Sequence, residues 1–348
     1  MIFKQFGGKI SNEEKTRFSS SENWNGEKFI NLETTTIDIG LRKMPRLLYK
    51  QFFENKGRIP KQTLPILPFD KNAFLAPSET AKCIWYGHSV VLLRIQHQTL
   101  LIDPMFGPNA APISPVATER FSSHTLALID ALPEIDLLLL THDHYDHLDY
   151  DSIQKLLPKV KQYYVALGCA RHLITWGVDP EKIKEFDWWD DSDFNTIHIT
   201  FTPTRHFSGR GLTDRAKSLW GGWVFKTATE NIYFTGDGGY GAHFKTIGDR
   251  LGPFDFAFVE CGQYNQNWHL IHMFPEEAIQ AAKDAHIKIA MPVHWAGFAL
   301  AQHTWKAPIE GFTDAAKKQD LPIRTPLLGE LFTISSTTNQ QSWWENYG

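Results

Sequence analysis

The sequence predicts an α/β fold in which helices cover β-sheets, and three observations predict it. Ten short runs rich in aliphatic, aromatic and β-branched residues recur at 83–86, 90–95, 99–102, 135–140, 163–166, 197–201, 223–226, 232–235, 256–259 and 287–292. Helical stretches lie between some of them, at 153–157, 170–176 and 275–286, the last opening on Pro275 with Glu276 and Glu277 in its first turn. The 348 residues are 42% hydrophobic and 21% charged, an ordinary globular composition with enough chain to bury a large core.

Taken in order, residues 1–40 are polar and weakly patterned, an arm expected to lie over the main domain. Between residues 41 and 61 the charge shifts: Arg42, Lys43, Arg46, Lys50, Lys56, Arg58 and Lys61 face only Glu54. A helix over 45–55, with Pro45 in its first turn and Gly57 as its stop, puts Leu48 and Phe52 on one face. Two uses fit it: an extra helix docked on the core, the commoner fate of an amphipathic helix, or peripheral contact with an anionic membrane. Pro60, Pro65, Pro68 and Pro77 make 60–80 an extended connector rather than a helix. The expected division is an N-terminal arm, basic helix and connector over 1–80, a catalytic domain over 81–334, and a polar tail over 335–348 that ends in an aromatic patch.

Charge and composition exclude several functions. Thirty-five Lys and Arg against 39 Asp and Glu leave a formal net charge of −4, which argues against a nucleic-acid partner held by bulk electrostatics. Cys83, Cys169 and Cys261 are far apart and form no C-x-x-C pair, so neither a disulfide framework nor a thiolate metal site is expected. No run approaches the roughly 18 apolar residues of a spanning helix, and residues 1–21 lack the apolar core of a secretory signal. A cytoplasmic protein is expected, with the membrane's inner face as the alternative address. Fifteen histidines against three cysteines mean that any metal is held by nitrogen and oxygen.

The strongest signal is Thr141-His142-Asp143-His144-Tyr145-Asp146-His147, directly after the buried-strand run 135–140. In an extended segment His142 and His144 point the same way, because side chains alternate with period two. Asp146 and His147 follow a turn and address a second point nearby. Three imidazoles and a carboxylate crowded together carry a desolvation and repulsion cost with no structural return, whereas they match the ligand set of zinc. His206, Asp237 and His294 each follow a strand-like run, where neighbouring strand ends present residues at one rim. Asp237, between Gly236 and Gly238, is the natural bridge between two metals.

His142-x-His144-x-Asp146-His147, then His206, Asp237 and His294, resembles the metallo-β-lactamase superfamily of binuclear metallohydrolases. Within it, Trp85-Tyr86-Gly87-His88, Ile102-Asp103-Pro104, Thr202-Pro203-Thr204-Arg205-His206, Gly236-Asp237-Gly238-Gly239-Tyr240, His272-Met273-Phe274-Pro275-Glu276-Glu277 and His294-Trp295 are similar to the N-acylphosphatidylethanolamine-hydrolysing phospholipase D branch. The resemblance implies an αββα sandwich of two sheets with helices outside. It implies one metal on His142, His144 and His206, another on Asp146, His147 and His294, and Asp237 between them. It implies two Zn²⁺, with iron or manganese as alternatives, and attack of a metal-held hydroxide on phosphorus to release phosphatidic acid and N-acylethanolamine.

Catalytic candidates are Asp146 and His272, the latter as donor to a phosphate or leaving group, or else a staple for the helix at Pro275. Asp103 is a candidate partner for the second nitrogen of a ligating histidine, with a turn or helix cap as its other use. His88 is expected to order the sheet beside the site. Arg210, Arg215 and Tyr240 are the substrate-binding candidates, solvated loop arginines being the commoner outcome for the first two. The partner is a small molecule or phospholipid, and a homodimer is left open. The same metal residues suit a lactonase or other acyl-ester hydrolase acting on a polar small molecule. An iron redox protein or a non-catalytic binding module is the reading from another class.

Overall fold

Strands buried on both faces account for the most apolar runs in the chain. The computed structural model describes residues 4–36, 56–111, 118–211, 213–335 and 342–348. One sheet holds β1 (Lys82–Trp85), β2 (Val91–Ile95), β3 (Gln98–Ile102), β4 (Ile135–Leu140), β5 (Val160–Ala166), β6 (Ile183–Phe186) and β13 (Leu331–Thr333), in the order β13-β1-β2-β3-β4-β5-β6. Its β3–β6 half is parallel, with Leu100 opposite Leu137 and Ile102 opposite Leu139. The other sheet holds β7 (Asp191–Phe194), β8 (Ile197–Thr202), β9 (Gly222–Lys226), β10 (Asn231–Phe234), β11 (Phe256–Glu260) and β12 (Ala290–Val293), in the order β12-β11-β10-β9-β8-β7. The sheets pack face to face: Trp223 of β9 donates its indole N–H to the Leu140 carbonyl of β4 at 3.3 Å and meets the ring of Phe186 of β6.

The two antiparallel steps β8–β9 and β9–β10 and the two parallel steps β10–β11 and β11–β12 make β8, β10, β11 and β12 run the same way. Their C-terminal ends therefore share one rim, and the candidate residues His206, Asp237 and His294, together with Glu260, lie at or just beyond those ends. The helices are α1 (Asn12–Phe18), α2 (Lys71–Leu75), α3 (Thr125–Ala131), α4 (Tyr150–Leu156), α5 (Ala170–Thr175), α6 (His243–Leu251), α7 (Pro275–Asp284) and α8 (Ala307–Lys318). Glu277 closes the first turn of α7 by accepting the Phe274 N–H at 2.9 Å. This is the mixed α/β sandwich that the resemblance implies.

The connector departs from expectation. Prolines forbid helix only around themselves, and between Pro68 and Pro77 the chain forms α2, capped by Asp70, whose carboxylate accepts the Ala73 N–H at 3.0 Å. Strands β6 and β7 were not legible either, because Ile183-Lys184-Glu185-Phe186 and Asp191-Ser192-Asp193-Phe194 are polar edge strands with few apolar positions. The proposed helix over 45–55 and its membrane contact lie outside the described residues. Of its basic flank, Arg58 is buried, donating to the carbonyls of Ala301 and Ala299. Among the described residues, no helix is long and apolar enough to cross a membrane.

Described residues towards both ends of the chain pack on the fold. In the arm, Phe18, Trp24 and Phe29 form one aromatic cluster with centroids 4.9–5.3 Å apart, and Phe29 N–H donates to Ala216. At the other end the expected tail is docked rather than free: Trp343 and Trp344 are buried, with Trp343 stacked on Trp295 at 5.4 Å. Because Trp295 directly follows His294, this packing backs the rim. Trp343→Ala is expected to lower stability by about 3 kcal/mol in a urea titration, the cost of emptying a buried aromatic site; a change below about 0.5 kcal/mol is the result a free tail would give.

Candidate metal centre

The loop after β4 is held by a carboxylate from the neighbouring strand end. Asp103, just beyond β3 and in left-handed backbone (φ 44°), accepts the Thr141 N–H at 2.8 Å, the Thr141 hydroxyl at 2.6 Å and Nδ1–H of His147 at 2.7 Å. The Thr141 oxygen, its proton committed to Asp103, accepts from Nδ1 of His142 at 2.9 Å. His206 donates Nδ1–H to the Ile271 carbonyl at 3.0 Å. In each case the outward nitrogen is the donor, which turns Nε2 inward, as a lone pair on His142 and His206 and on His147 once its second proton is displaced. Asn31 of the arm grips the backbone of His206 on both sides, accepting its N–H at 3.1 Å and donating to its carbonyl at 2.8 Å.

The inward nitrogens converge. Nε2 of His142 and Nε2 of His206 lie 2.9 and 3.2 Å from Nδ1 of His144. Nε2 of His294 lies 3.0 Å from Asp237 and 3.3 Å from Asp146, and Nε2 of His147 lies 3.0 Å from the same oxygen of Asp237. That oxygen is also 4.0 Å from Nε2 of His206, so Asp237 stands between the two clusters. Nitrogen and oxygen ligands on one tetrahedral zinc, at about 2.0–2.1 Å from it, are about 3.3 Å from one another. The spacings match. A single N–H at Nδ1 of His144 can point at only one of the two nitrogens facing it, whereas a cation between them serves all three, and the residues present therefore fit a metal. Backbone strain concentrates here too, with left-handed φ of 54° at His88, 44° at Asp103 and 66° at His294. Gly236 (φ 65°) makes the turn before Asp237, where a Cβ would sit 2.2 Å from the Gly221 carbonyl oxygen.

Electrostatics divide the clusters. Burial, reinforced by the neighbouring imidazoles, holds His142 and His206 well below the usual histidine range, and burial puts His144 at about 4. Burial also opposes a charged His147, but Asp237, Asp146 and Asp103 overcome it and raise its pKa to about 10. His294 is raised for the same reason, chiefly by Asp237. Asp146 and Asp237 are held low against the effect of burial, by His147 before any other neighbour. His88, taken to about 3 by burial and by His294, meets Asp146 at 2.9 Å.

The structure thus brings together all seven candidate ligands, His142, His144, Asp146, His147, His206, Asp237 and His294, with Asp103 and His88 behind them. His272 joins them at the cavity wall, its ring stacked on that of His294 at 5.2 Å. Two substrate candidates are corrected. Arg210 is buried and spends its donors on the carbonyls of Gln5, Asp143 and Leu148, so it ties the arm to the metal loop and does not face the cavity. Tyr240 points its hydroxyl to Asp284 of α7 at 2.5 Å, away from the cavity. Arg215 does reach the rim, its guanidinium 3.9 Å over the ring of Phe207.

Sequence reasoning missed the supports. Buried Asp143 accepts from Gly209 N–H at 2.7 Å, the Ser218 hydroxyl at 2.6 Å and Nε2 of His172 at 3.2 Å. Nδ1 of His172 in turn accepts the Gly8 N–H at 3.2 Å. Its position inside the histidine loop was the only signal for Asp143. Glu260, wholly buried at the end of β11, had a clearer one: a lone acid closing an apolar strand.

Comparison with known proteins follows the same lines. A family model described as a beta-lactamase superfamily domain matches residues 98–295. An uncharacterized Mycobacterium tuberculosis protein is 33% identical over 329 residues, covering 93% of this chain and 87% of its own. The N-acyl-phosphatidylethanolamine-hydrolyzing phospholipase D 1 of Caenorhabditis elegans is 30% identical over 256 residues, covering 70% of this chain and 71% of its own. Among solved structures, Igni18, a metallo hydrolase from the archaeon Ignicoccus hospitalis, shares the fold with a TM-score of 0.57 at 19% identity, over 73% of this chain and 98% of its own.

The pKa pattern sets the pH dependence of metal uptake. The raised pKa of His147, at about 10, means that at neutral pH a metal entering beside Asp146 and His294 displaces a proton, whereas His142, His144 and His206 are already free of theirs. Between pH 6 and 8, affinity at the Asp146–His147–His294 cluster is expected to rise at least about tenfold per pH unit and at the His142–His144–His206 cluster to stay nearly flat. Calorimetric titration of the metal-free protein with zinc checks this, and equal slopes contradict it.

Proposed function

Because the chain belongs to the metallo-β-lactamase superfamily of metal-dependent hydrolases and groups there with N-acyl-phosphatidylethanolamine-hydrolysing phospholipases D, we propose that it is a binuclear zinc phosphodiesterase. Its proposed substrate is an N-acylphosphatidylethanolamine or closely related lipid phosphodiester, cleaved to phosphatidic acid and the N-acylethanolamine. The observation that carries this reading is the complete ligand set, in two clusters joined by Asp237, of which His144, Asp146, His206, Asp237 and His294 line one cavity.

His142, His144 and His206 would hold one ion, Asp146, His147 and His294 the other, and Asp237 both. Bound there, a pair of divalent cations supplies a hydroxide nucleophile at neutral pH and Lewis acidity for charge developing on phosphoryl oxygens. The chain's own residues do the rest. A cavity of about 780 Å³ stands over the ligands, walled by Ala110, Phe207, Trp268, Ile271 and Leu300. Apolar walls over a polar floor suit an amphiphile better than a sugar lactone. A second space of about 280 Å³ lies between the arm and the His206–Phe207 wall, and Arg215 borders both. Among the described residues Arg215 forms no ion pair, while Asp214 beside it accepts the Arg210 and Gly211 N–H groups. Arg215 is thereby available to a phosphoryl oxygen. His272, at the wall, is placed to serve the leaving alcohol.

The purified protein is expected to hydrolyse bis-p-nitrophenyl phosphate and a long-chain N-acylphosphatidylethanolamine, to lose both activities on chelation and to regain them with zinc. Absence of metal-dependent turnover of either would sink the proposal. Arg215→Gln is expected to raise KM for the phosphodiester about tenfold, the usual scale for a hydrogen bond to a charged group, with little change in kcat.

A further inference from the structure

Glu260 closes β11, whose other residues Phe256, Ala257, Phe258 and Val259 are apolar and buried. A carboxylate placed in such a strand is strongly unfavourable unless its oxygens are used. They are used on the catalytic side. One oxygen lies 2.9 Å from Nδ1 of His272 and 3.6 Å from Nδ1 of His294, and the other accepts the Met273 N–H at 3.2 Å. Nδ1 of His294 has no hydrogen-bond partner, so Glu260 is its nearest polar neighbour on that side. The rings of His272 and His294 are parallel within 12°, as two imidazoles aimed at one carboxylate would be. With Nδ1 turned to Glu260, His272 presents its opposite nitrogen to the cavity, beside His206 and Asp237.

We propose that Glu260 is a positioning residue: it fixes the His272 ring through Nδ1 and so aims Nε2 at the leaving-group oxygen of the substrate. This rests on the phosphodiesterase reading. In that step a water oxygen bonds to phosphorus and the phosphorus–oxygen bond to the alcohol breaks, leaving its electron pair on the alcohol oxygen. With Nδ1–H kept on Glu260, His272 acts as the imidazolium: it gives its Nε2 proton to that oxygen, is left neutral, and recovers a proton from the attacking water. Met273 gives Glu260 a structural duty as well, so the test must separate the two.

The test uses the full-length, zinc-loaded protein, with Glu260→Gln, His272→Ala and the double variant. Two phosphodiesters are compared: an N-acylphosphatidylethanolamine, whose alcohol is a poor leaving group, and bis-p-nitrophenyl phosphate, whose phenolate is a good one. Glu260→Gln is expected to lower kcat on the lipid about 10- to 100-fold, with KM and metal content unchanged. Its effect on bis-p-nitrophenyl phosphate should be far smaller, and in the His272→Ala background it should cost less than about threefold. Equal losses on both substrates, additive losses in the double variant, or loss of metal would overturn the assignment. If Glu260→Gln does not fold, Glu260→Asp carries the same cycle, and an unchanged kcat on the lipid then counts against it. A wild-type protein inactive on both phosphodiesters overturns the phosphodiesterase reading instead, and the same cycle on whichever ester it does cleave still tests Glu260.

Discussion

Five imidazoles crowd into one pocket, and for three of them the nitrogen turned outward is tied by a hydrogen bond; much of the structure is arranged around that constraint. Asp103 ties His147 directly and His142 through Thr141, and the Ile271 carbonyl ties His206, whereas Nδ1 of His294 has no hydrogen-bond partner. These ties come from the end of β3 and the loop before α7, and the histidines they hold follow β4 and β8. Sheet topology is what brings those segments together, since β8, β10, β11 and β12 end on the same rim. The inward lone pairs are then a consequence of the outward hydrogen bonds, and the affinity for a cation follows from the lone pairs.

The ligands were legible in the sequence and their supports were not, for physical reasons. Spacing alone reveals His142, His144, Asp146 and His147, because a strand's period of two and a following turn convert directly into direction. His206, Asp237 and His294 are legible as polar residues ending apolar runs. Asp103 was visible as a candidate for the same reason. The arm was opaque because Phe18, Trp24 and Phe29 are spaced by six and five residues, which matches neither helix nor strand. Asn31 gave no signal at all, since its role is to hold the backbone of a residue 175 positions away. Arg210 and Arg215, five residues apart beside His206, look alike in the sequence. Only the three-dimensional path of the loop sends one into the arm and the other to the cavity rim.

The N-terminal arm changes the meaning of the cavity. It contributes Asn31 to the ligand His206, Gly8 to the support under the metal loop through His172 and Asp143, and residues 28–35 to the smaller space beside Arg215. The segment expected to lie as an arm over the main domain therefore also supports the candidate ligands and walls the space beside Arg215. The ligand set fixes what chemistry the floor can support, whereas the walls above it separate an amphiphilic substrate from a polar one. Apolar walls such as Trp268, Ile271 and Leu300 weigh towards the lipid.

The central claim is that two clusters in this chain each hold a metal ion and share Asp237. It is tested most directly by counting zinc per chain after reconstitution, by plasma mass spectrometry, in the wild type and in single-ligand variants. The account predicts two ions in the wild type, one in His206→Ala and one in His294→Ala, with neither variant losing its fold. A wild type that binds no zinc, or only one ion that survives in both variants, would contradict it.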